Sequence, residues 1–562
     1  MRLTQQMNVA ACTLAASVFF VLACNLRFWK TFVDATGGFQ FGNIPLYLAT
    51  FLILVLVLNT LLTLVAFRPV LKPLLTFLFI ATSLAAYFMN QYGVSIDAAM
   101  MQNVFETDVR EAAELGNWNL VVTVLLLGLL PSVLLWRVRL DAPPLIRNLL
   151  AKSSIVAVSL VVAVGTLVVN YKTYAPTFRE HGELRYLVAP ANYLYATTRY
   201  LSKKRRPPVV AAVGTDAIKG PAWAGRAGRS ITVIVVGETA RAMNFSLNGY
   251  ERETNPLLSR QRGLINFSDV SSCGTSTAVS VPCVFSVLGR QNYSEGRAKS
   301  QQGLLDVLSH AGFDVMWRDN NSGCKGVCDR VRYEDVSVPA AGNPFCNQEE
   351  CYDERLLDNL PEIIREARND LVIVLHQKGS HGPAYWKRYP EGFGKWEPAC
   401  RTSNLERCPT QDIVAAYDNT ILYTDYFLSK TIDILRDSSA KAGVDTAFLY
   451  FSDHGESLGE RNMYLHGAPY IISPIEQRHV PLMLWLSDGF LSRFHVDEKC
   501  LAARAGQPFS HDHVFHSVLG MLNVSTAVYN PALDIFQACS RTERTRAGRI
   551  DRVLAARAEN GT

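Results

Sequence analysis

The sequence predicts an α-helical membrane domain of five transmembrane helices followed by a water-soluble α/β domain outside the cytosol. Three observations carry this. Apolar runs of about 20 residues, the length that crosses a bilayer, crowd the first third of the 562-residue chain. After residue 230, short apolar runs alternate with amphipathic stretches, the order of a sheet covered by helices. Ten of the twelve cysteines lie beyond residue 270, which fits disulfides formed away from the reducing cytosol. The net charge of +5 is small for this length and gives no basic face on the scale a nucleic acid needs, so that partner is excluded.

In chain order, the expected spans are 8–28, 44–67, 70–91, 118–137 and 154–171, a membrane domain over 1–171. Arg68 and Lys72 between the second and third spans, and Arg137, Arg139, Arg147 and Lys152 between the fourth and fifth, mark cytoplasmic loops. An odd number of crossings then puts everything after Tyr171 outside. Arg27 and Lys30 oppose that count, and Val-Leu-Ala-Cys ending at Cys24 leaves a lipoprotein-type cleavage signal as another reading of the first run. In the loop 92–117, Asn103, Thr107 and Glu111 recur every four residues and form a polar stripe if the loop is helical. Spacing alone leaves a solvated face and a binding site both open. Residues 172–229, rich in tyrosine and arginine and then in Lys, Arg, Pro and Gly, read as an interfacial helix and a linker.

The soluble domain, 230–540, offers strands at 231–236, 371–375, 446–451 and 480–486 and helices at 301–311, 354–367 and 412–436, before a charged tail at 541–562. Glu238, His376 and Asp453 each follow a strand-like run, where open α/β sheets gather ligands. Proximity pairs Cys273 with Cys283, Cys324 with Cys328, Cys346 with Cys351 and Cys400 with Cys408, and leaves Cys500 and Cys539 unassigned.

The chemistry turns on Thr277, inside a hydroxyl-rich run between Cys273 and Cys283. A threonine hydroxyl needs a base or a metal to ionise it near neutral pH. Glu238, Asp453 and His454 with Thr277 make a mixed oxygen and nitrogen donor set that suits zinc, with manganese also open. Lys325, His381 and His466 are available to face charge on phosphoryl oxygens, and a histidine can protonate a leaving oxygen. Taken singly, each of these residues also fits a helix cap, a tight turn or a structural histidine. The histidines at 511, 513 and 516 read as a solvated helix or loop rather than a metal cluster.

Six segments together resemble the lipid A phosphoethanolamine transferases, the family that includes the mobile colistin-resistance enzymes. They are Gly-Glu-Thr-Ala-Arg at 237–241, Thr-Ser-Thr-Ala-Val-Ser-Val-Pro-Cys at 275–283, Asp-Asn-Asn-Ser-Gly-Cys-Lys-Gly-Val-Cys at 319–328, Gly-Ser-His-Gly-Pro at 379–383, Ser-Asp-His-Gly-Glu at 452–456 and Tyr-Leu-His-Gly at 464–467. The resemblance implies an alkaline-phosphatase/sulfatase-like fold for the soluble domain, in the periplasm, on a multi-pass protein of a bacterial inner membrane. It implies one tight zinc site at Glu238, Thr277, Asp453 and His454, and a second, weaker zinc near His381 and His466. Thr277 would carry phosphoethanolamine between two half-reactions, with Lys325, His381 and His466 in catalysis and Ser322 beside them. The stripe of Asn103, Thr107 and Glu111 becomes a headgroup site. Phosphatidylethanolamine is the implied donor and a phosphate of lipid A the implied acceptor, for a monomeric enzyme whose added amine weakens the pull of the outer membrane on polymyxins. Transfer to a lipopolysaccharide core sugar or another glycan, and a membrane-anchored phosphodiesterase, are the alternatives. A formylglycine sulfatase is disfavoured, since Cys283-Val284-Phe285-Ser286 lacks the proline and arginine of Cys-x-Pro-x-Arg. Ser510–His513 departs from the family's asparagine-bearing version and leaves acceptor detail open.

Overall fold

The computed structural model describes residues 6–540 apart from 107–112, 114, 142–144, 171–172, 175–176, 179–180, 205–209, 225–227, 341, 349 and 403–404. Two compact units divide the chain, most of the residues up to Ser202 in one and those from Lys203 onward in the other, and each has its own core.

In the first unit, among the described residues, four helices are long and apolar enough to cross a membrane: Phe41–Val65, Arg68–Tyr92, Trp118–Arg137 and Ile146–Val169. The expected first span, 8–28, is not one straight helix. Helix α1 (Val9–Ala23) and helix α2 (Leu26–Ala35) meet at a 60° bend, and only as a pair do they bring the count to five. Asn25 causes the break. Its side-chain nitrogen donates to the carbonyls of Phe20 and Ala189, both at 2.8 Å, and its side-chain oxygen accepts from Ala189 N–H, while the Val21 carbonyl, next in the helical ladder, accepts from Trp29 Nε1 at 2.8 Å. Beyond the bend α2 is amphipathic: Phe28 and Phe32 are buried, while Arg27, Lys30 and Asp34 belong to its polar side. The basic pair that opposed the topology count therefore lies outside the straight apolar helix. Lys72 and Lys152, expected in cytoplasmic loops, donate to carbonyls at helix ends, Val138 at 2.7 Å and Ala66 at 2.6 Å. A π turn at Val124–Leu129 precedes Pro131, whose missing N–H leaves a carbonyl one turn back without its usual donor.

The second unit is built on a seven-stranded mixed sheet. Its strands are β1 (Ser230–Gly237), β2 (Ile265–Phe267), β3 (Asp314–Asp319), β4 (Arg332–Asp335), β5 (Leu371–His376), β6 (Asp445–Ser452) and β7 (Leu482–Leu486), in the order β2-β7-β6-β1-β5-β3-β4. From β6 to β4 neighbours are parallel; β7 is antiparallel to both β6 and β2. Every residue of β1 is buried, as a central parallel strand covered on both faces requires. Alternate side chains divide between two cores, Ile234 and Val236 to one and Ile231, Val233 and Val235 to the other. Helix α3 (Thr410–Ala442) covers the second face through Ile413, Tyr417, Ile421 and Phe427 and stops at Gly443 in the left-handed region.

The four long strands expected from the sequence are present, the last starting at Leu482 rather than 480. Strands β2, β3 and β4 were not expected. β3 carries Arg318 into the interior, where its guanidinium donates to the carbonyls of Leu356 and Asp358; a charged residue mid-strand hides the period. The four proximity disulfides are present, and Cys500 bonds to Cys539.

Candidate metal centre and active site

The strand register places the site. Ser452 pairs with Gly237, Val236 with His376, and His376 with Asp319, so the carboxyl ends of β6, β1, β5 and β3 form one row. The residues that follow, Asp453 and His454, Glu238, and Asn320 to Lys325, therefore emerge side by side at one sheet edge. Close approach of these turns demands glycine twice. Gly379 has φ +51°, and a Cβ there would lie 2.6 Å from the Glu238 carbonyl; one on Gly455 would lie 2.1 Å from the Glu476 carbonyl.

Glu238, Asp453 and His454 are fully buried and present ligand atoms within 4.8 Å of one another. His454 Nδ1 lies 2.9 Å from the Gly455 carbonyl, to which only an N–H can bond. Nε2 is thus the lone-pair nitrogen, 3.3 Å from Glu238 Oε1 and 3.4 Å from Asp453 Oδ2. Those two carboxylate oxygens have no hydrogen bond although both are buried. Two buried carboxylates need positive charge. Burial alone would lower the His454 imidazole, yet Asp453 and Glu238 raise it to about 10, so without a cation Nε2 holds a second proton, and a bound cation would take the place of that proton on the Nε2 lone pair. A divalent ion fits this centre: unsatisfied hard oxygen donors, one correctly oriented imidazole nitrogen and a hydroxyl beside them.

That hydroxyl is Thr277, the first residue of helix α4 (Thr277–Val284) by position in the active-site segment. Its Oγ1 donates to Glu238 Oε2 at 3.0 Å and lies 3.4 Å from His454 Nε2. Thr277 is partly exposed, whereas the three ligand residues are not, so substrate reaches the hydroxyl first.

Two further groups belong to turns at the same sheet edge and to the turn beyond them. Lys325, itself at φ +53°, donates from Nζ to the carbonyl and the hydroxyl of Ser322, each at 2.9 Å. His381 and His466 lie 5.3 Å apart ring to ring, and His466 is 4.4 Å from His454. His466 Nδ1 faces Glu456 Oε1 at 3.3 Å; burial lowers its pKa, with Glu456 pulling the other way, and the neighbouring His454 and His381 add to the lowering. Asn103 lies on the helix Ala98–Glu106 of the first unit, while Thr107 and Glu111 fall outside the described residues.

The structure adds Asn321, absent from the sequence-derived site. Its side-chain N–H₂ donates to Glu238 Oε2 at 2.7 Å and to the Gln377 carbonyl at 2.8 Å. Its signal was present inside the quoted Asp-Asn-Asn-Ser segment. Behind it stand His376 and Asp319, paired at 2.9 Å and both buried. Glu456, last residue of Ser-Asp-His-Gly-Glu, was likewise missed. The expected solvation of the late histidines is corrected: His511 and His516 are buried, because the sheet edge and the following helix close over them.

A mixed sheet whose strand ends collect a Glu/Asp/His cluster beside a threonine defines a sulfatase-like domain of the alkaline phosphatase superfamily, and the Sulfatase family profile matches residues 230–524. The profile of phosphoethanolamine transferase EptA/EptB matches residues 54–205. Phosphoethanolamine transferase EptA of Escherichia coli K12 is 38% identical over 539 residues, covering 95% of this chain and 98% of that protein. Phosphatidylethanolamine transferase Mcr-1 of E. coli is 39% identical over 485 residues, 84% of this chain and 88% of that protein. Among solved structures, the integral membrane lipooligosaccharide phosphoethanolamine transferase A of Neisseria meningitidis superposes with a TM-score of 0.90 at 35% identity, covering 95% of this chain and 100% of that one. This chain belongs to the EptA/MCR family of phosphoethanolamine transferases, and it is an enzyme.

Proposed function

We propose that this enzyme moves phosphoethanolamine from phosphatidylethanolamine to a phosphate of lipid A, through an adduct on Thr277, at the periplasmic face of a bacterial inner membrane. The observation that carries the reading is Thr277 Oγ1 at 3.0 Å from Glu238 and 3.4 Å from His454, at the mouth of a buried anionic cluster. Whole-length similarity to proteins named phosphoethanolamine and phosphatidylethanolamine transferases supports the group and the donor. The neisserial relative, named for lipooligosaccharide, supports a lipid-anchored glycan as acceptor.

A zinc ion held by Glu238, Asp453, His454 and Thr277 would supply Lewis acidity, favouring the ionised hydroxyl and offsetting charge on the phosphoryl oxygens. In the first half-reaction the Thr277 proton passes to Glu238 Oε2 and on to solvent while Oγ1 bonds to phosphorus. The bond from phosphorus to the diacylglycerol oxygen breaks, and the His381 and His466 pair delivers the proton that oxygen takes. In the second, a lipid A phosphate oxygen attacks the same phosphorus and gives up its proton, the Oγ1–phosphorus bond breaks, Oγ1 takes that proton by way of Glu238 Oε2, and the histidine pair regains its own from solvent. Lys325 and Ser322 face the phosphoryl oxygens as donors, while Asn321, with its two N–H groups on Glu238 Oε2 and the Gln377 carbonyl, holds the carboxylate in place. Asn103, Thr107 and Glu111 hold the donor headgroup.

Mass spectrometry of lipid A from cells making the wild-type protein beside cells making Thr277→Ala tests the proposal. A phosphoethanolamine mass increment on lipid A with the first and none with the second is expected. The increment on a core sugar would move the acceptor, and its retention with Thr277→Ala would end the nucleophile assignment.

A further inference from the structure

The histidine at 511 sits behind the nucleophile segment and contacts it at several points. Phe509–Ser510 pairs in parallel with Val270–Ser271, and the His511 N–H donates to the Ser271 carbonyl at 3.0 Å. The imidazole Nδ1 accepts from the Cys273 N–H at 3.1 Å and lies 3.3 Å from Ser280 Oγ. Ser280, one turn beyond Thr277, donates its single proton to the Asp453 carbonyl at 2.5 Å. With that proton committed, and with Cys273 donating to it, Nδ1 must be the lone-pair nitrogen and Nε2 the protonated one. Burial at 1% exposure keeps the ring neutral, pushing its pKa down to about 3.

Cys273 and Ser280 flank Thr277 on either side, and the Cys273–Cys283 disulfide closes the same stretch. The Ser280 hydroxyl joins the nucleophile helix to the backbone of a metal-centre residue, and His511 packs against that hydroxyl while its Nδ1 holds the start of the segment through the Cys273 N–H. We propose that His511, through the Nδ1 lone pair, is a positioning residue that fixes Thr277 Oγ1 against Glu238 and His454. The inference rests on the reading of Thr277 as nucleophile. A displacement of about 1 Å at such a group is enough to cost on the order of 100-fold in rate.

The full-length protein in detergent, mixed with phosphatidylethanolamine, is followed by intact mass for the adduct on Thr277, with zinc content and melting temperature measured alongside. His511→Leu fills the space without an acceptor. His511→Asn puts an oxygen near the place of Nδ1, whereas the oxygen of His511→Gln lies near the place of Nε2. His511→Leu is expected to slow loading by about 10- to 100-fold at unchanged zinc content and unchanged half-saturating lipid, and His511→Asn to recover to within a few-fold of wild type. Where His511→Leu does not accumulate, His511→Gln carries the test and is expected to load slowly. Wild-type loading by His511→Leu or His511→Gln, or equal slowing of all the variants, would overturn the inference. A wild-type protein that forms no Thr277 adduct would overturn the transfer reading and the inference together.

Discussion

The two units bury polar groups in opposite ways. In the membrane unit they are neutral: Ser17 donates to the Thr13 carbonyl, the Thr50 and Tyr174 hydroxyls pair at 2.9 Å, and those of Thr82 and Tyr193 pair at 3.0 Å. In the catalytic unit the groups around the site are charged, as when Glu238 meets His454, or Asp319 meets His376. Disulfides follow the same division, with five in the catalytic unit and two free cysteines, Cys12 and Cys24, in the membrane unit. A lipid-facing helix satisfies its backbone by itself and has little use for distant charges. A catalytic centre is the reverse, since concentrated charge is its chemistry and must be held by partners elsewhere.

The comparison breaks most sharply at one atom. Thr277→Ala should lower transfer by on the order of 1000-fold or more while leaving the melting temperature within about 2 °C of wild type; a melting curve shifted further would make Thr277 structural. Next comes the cation. Chelation should stop turnover, zinc should restore it, and removal should lower the melting temperature of the catalytic unit alone, because a ligand held only by the folded state stabilises it. An apoprotein that melts unchanged would show that the buried carboxylates are neutralised by protons instead.

Third, replacing Cys500 and Cys539 together by serine should cost about 4 kcal/mol in the chain-entropy account of a loop with 39 residues of separation, read as denaturant unfolding of the catalytic unit. Equal loss in the membrane unit would erase the contrast. Within the membrane unit, Asn25→Leu removes the hydrogen bonds that hold the α1–α2 bend to Ala189 and should cost about 1–3 kcal/mol. Smallest is Thr50→Val, at about 0.6 kcal/mol, the usual worth of a hydrogen bond between membrane helices.

Much of this was legible. The apolar runs gave four straight spans, and β1, β5 and β6 stood out because central parallel strands are continuous apolar runs. The bend at Asn25 was hidden because its cause, the backbone of Ala189, lies 164 residues away. Strand β3 was hidden by Arg318, whose hydrogen-bond acceptors are the carbonyls of Leu356 and Asp358 and whose counter-ion is Glu334. The metal-type donors were readable by residue type and by their place after strands, whereas Asn321 passed unnoticed because an asparagine in a loop has too many ordinary uses.

By itself, then, the sequence determined the two solvents, the helices and central strands, and the set of side chains able to do the chemistry, since hydropathy period and ligand type are local properties. Only tertiary structure decided that Gly237 stands beside Ser452 and His376 beside Asp319, which puts Glu238, Thr277, Asn321 and Asp453 in one place. It also decided the partner of Cys500 and the burial of His511. Strand register and loop closure join residues hundreds of positions apart, and no local pattern encodes which of the many possible pairings has the lowest free energy.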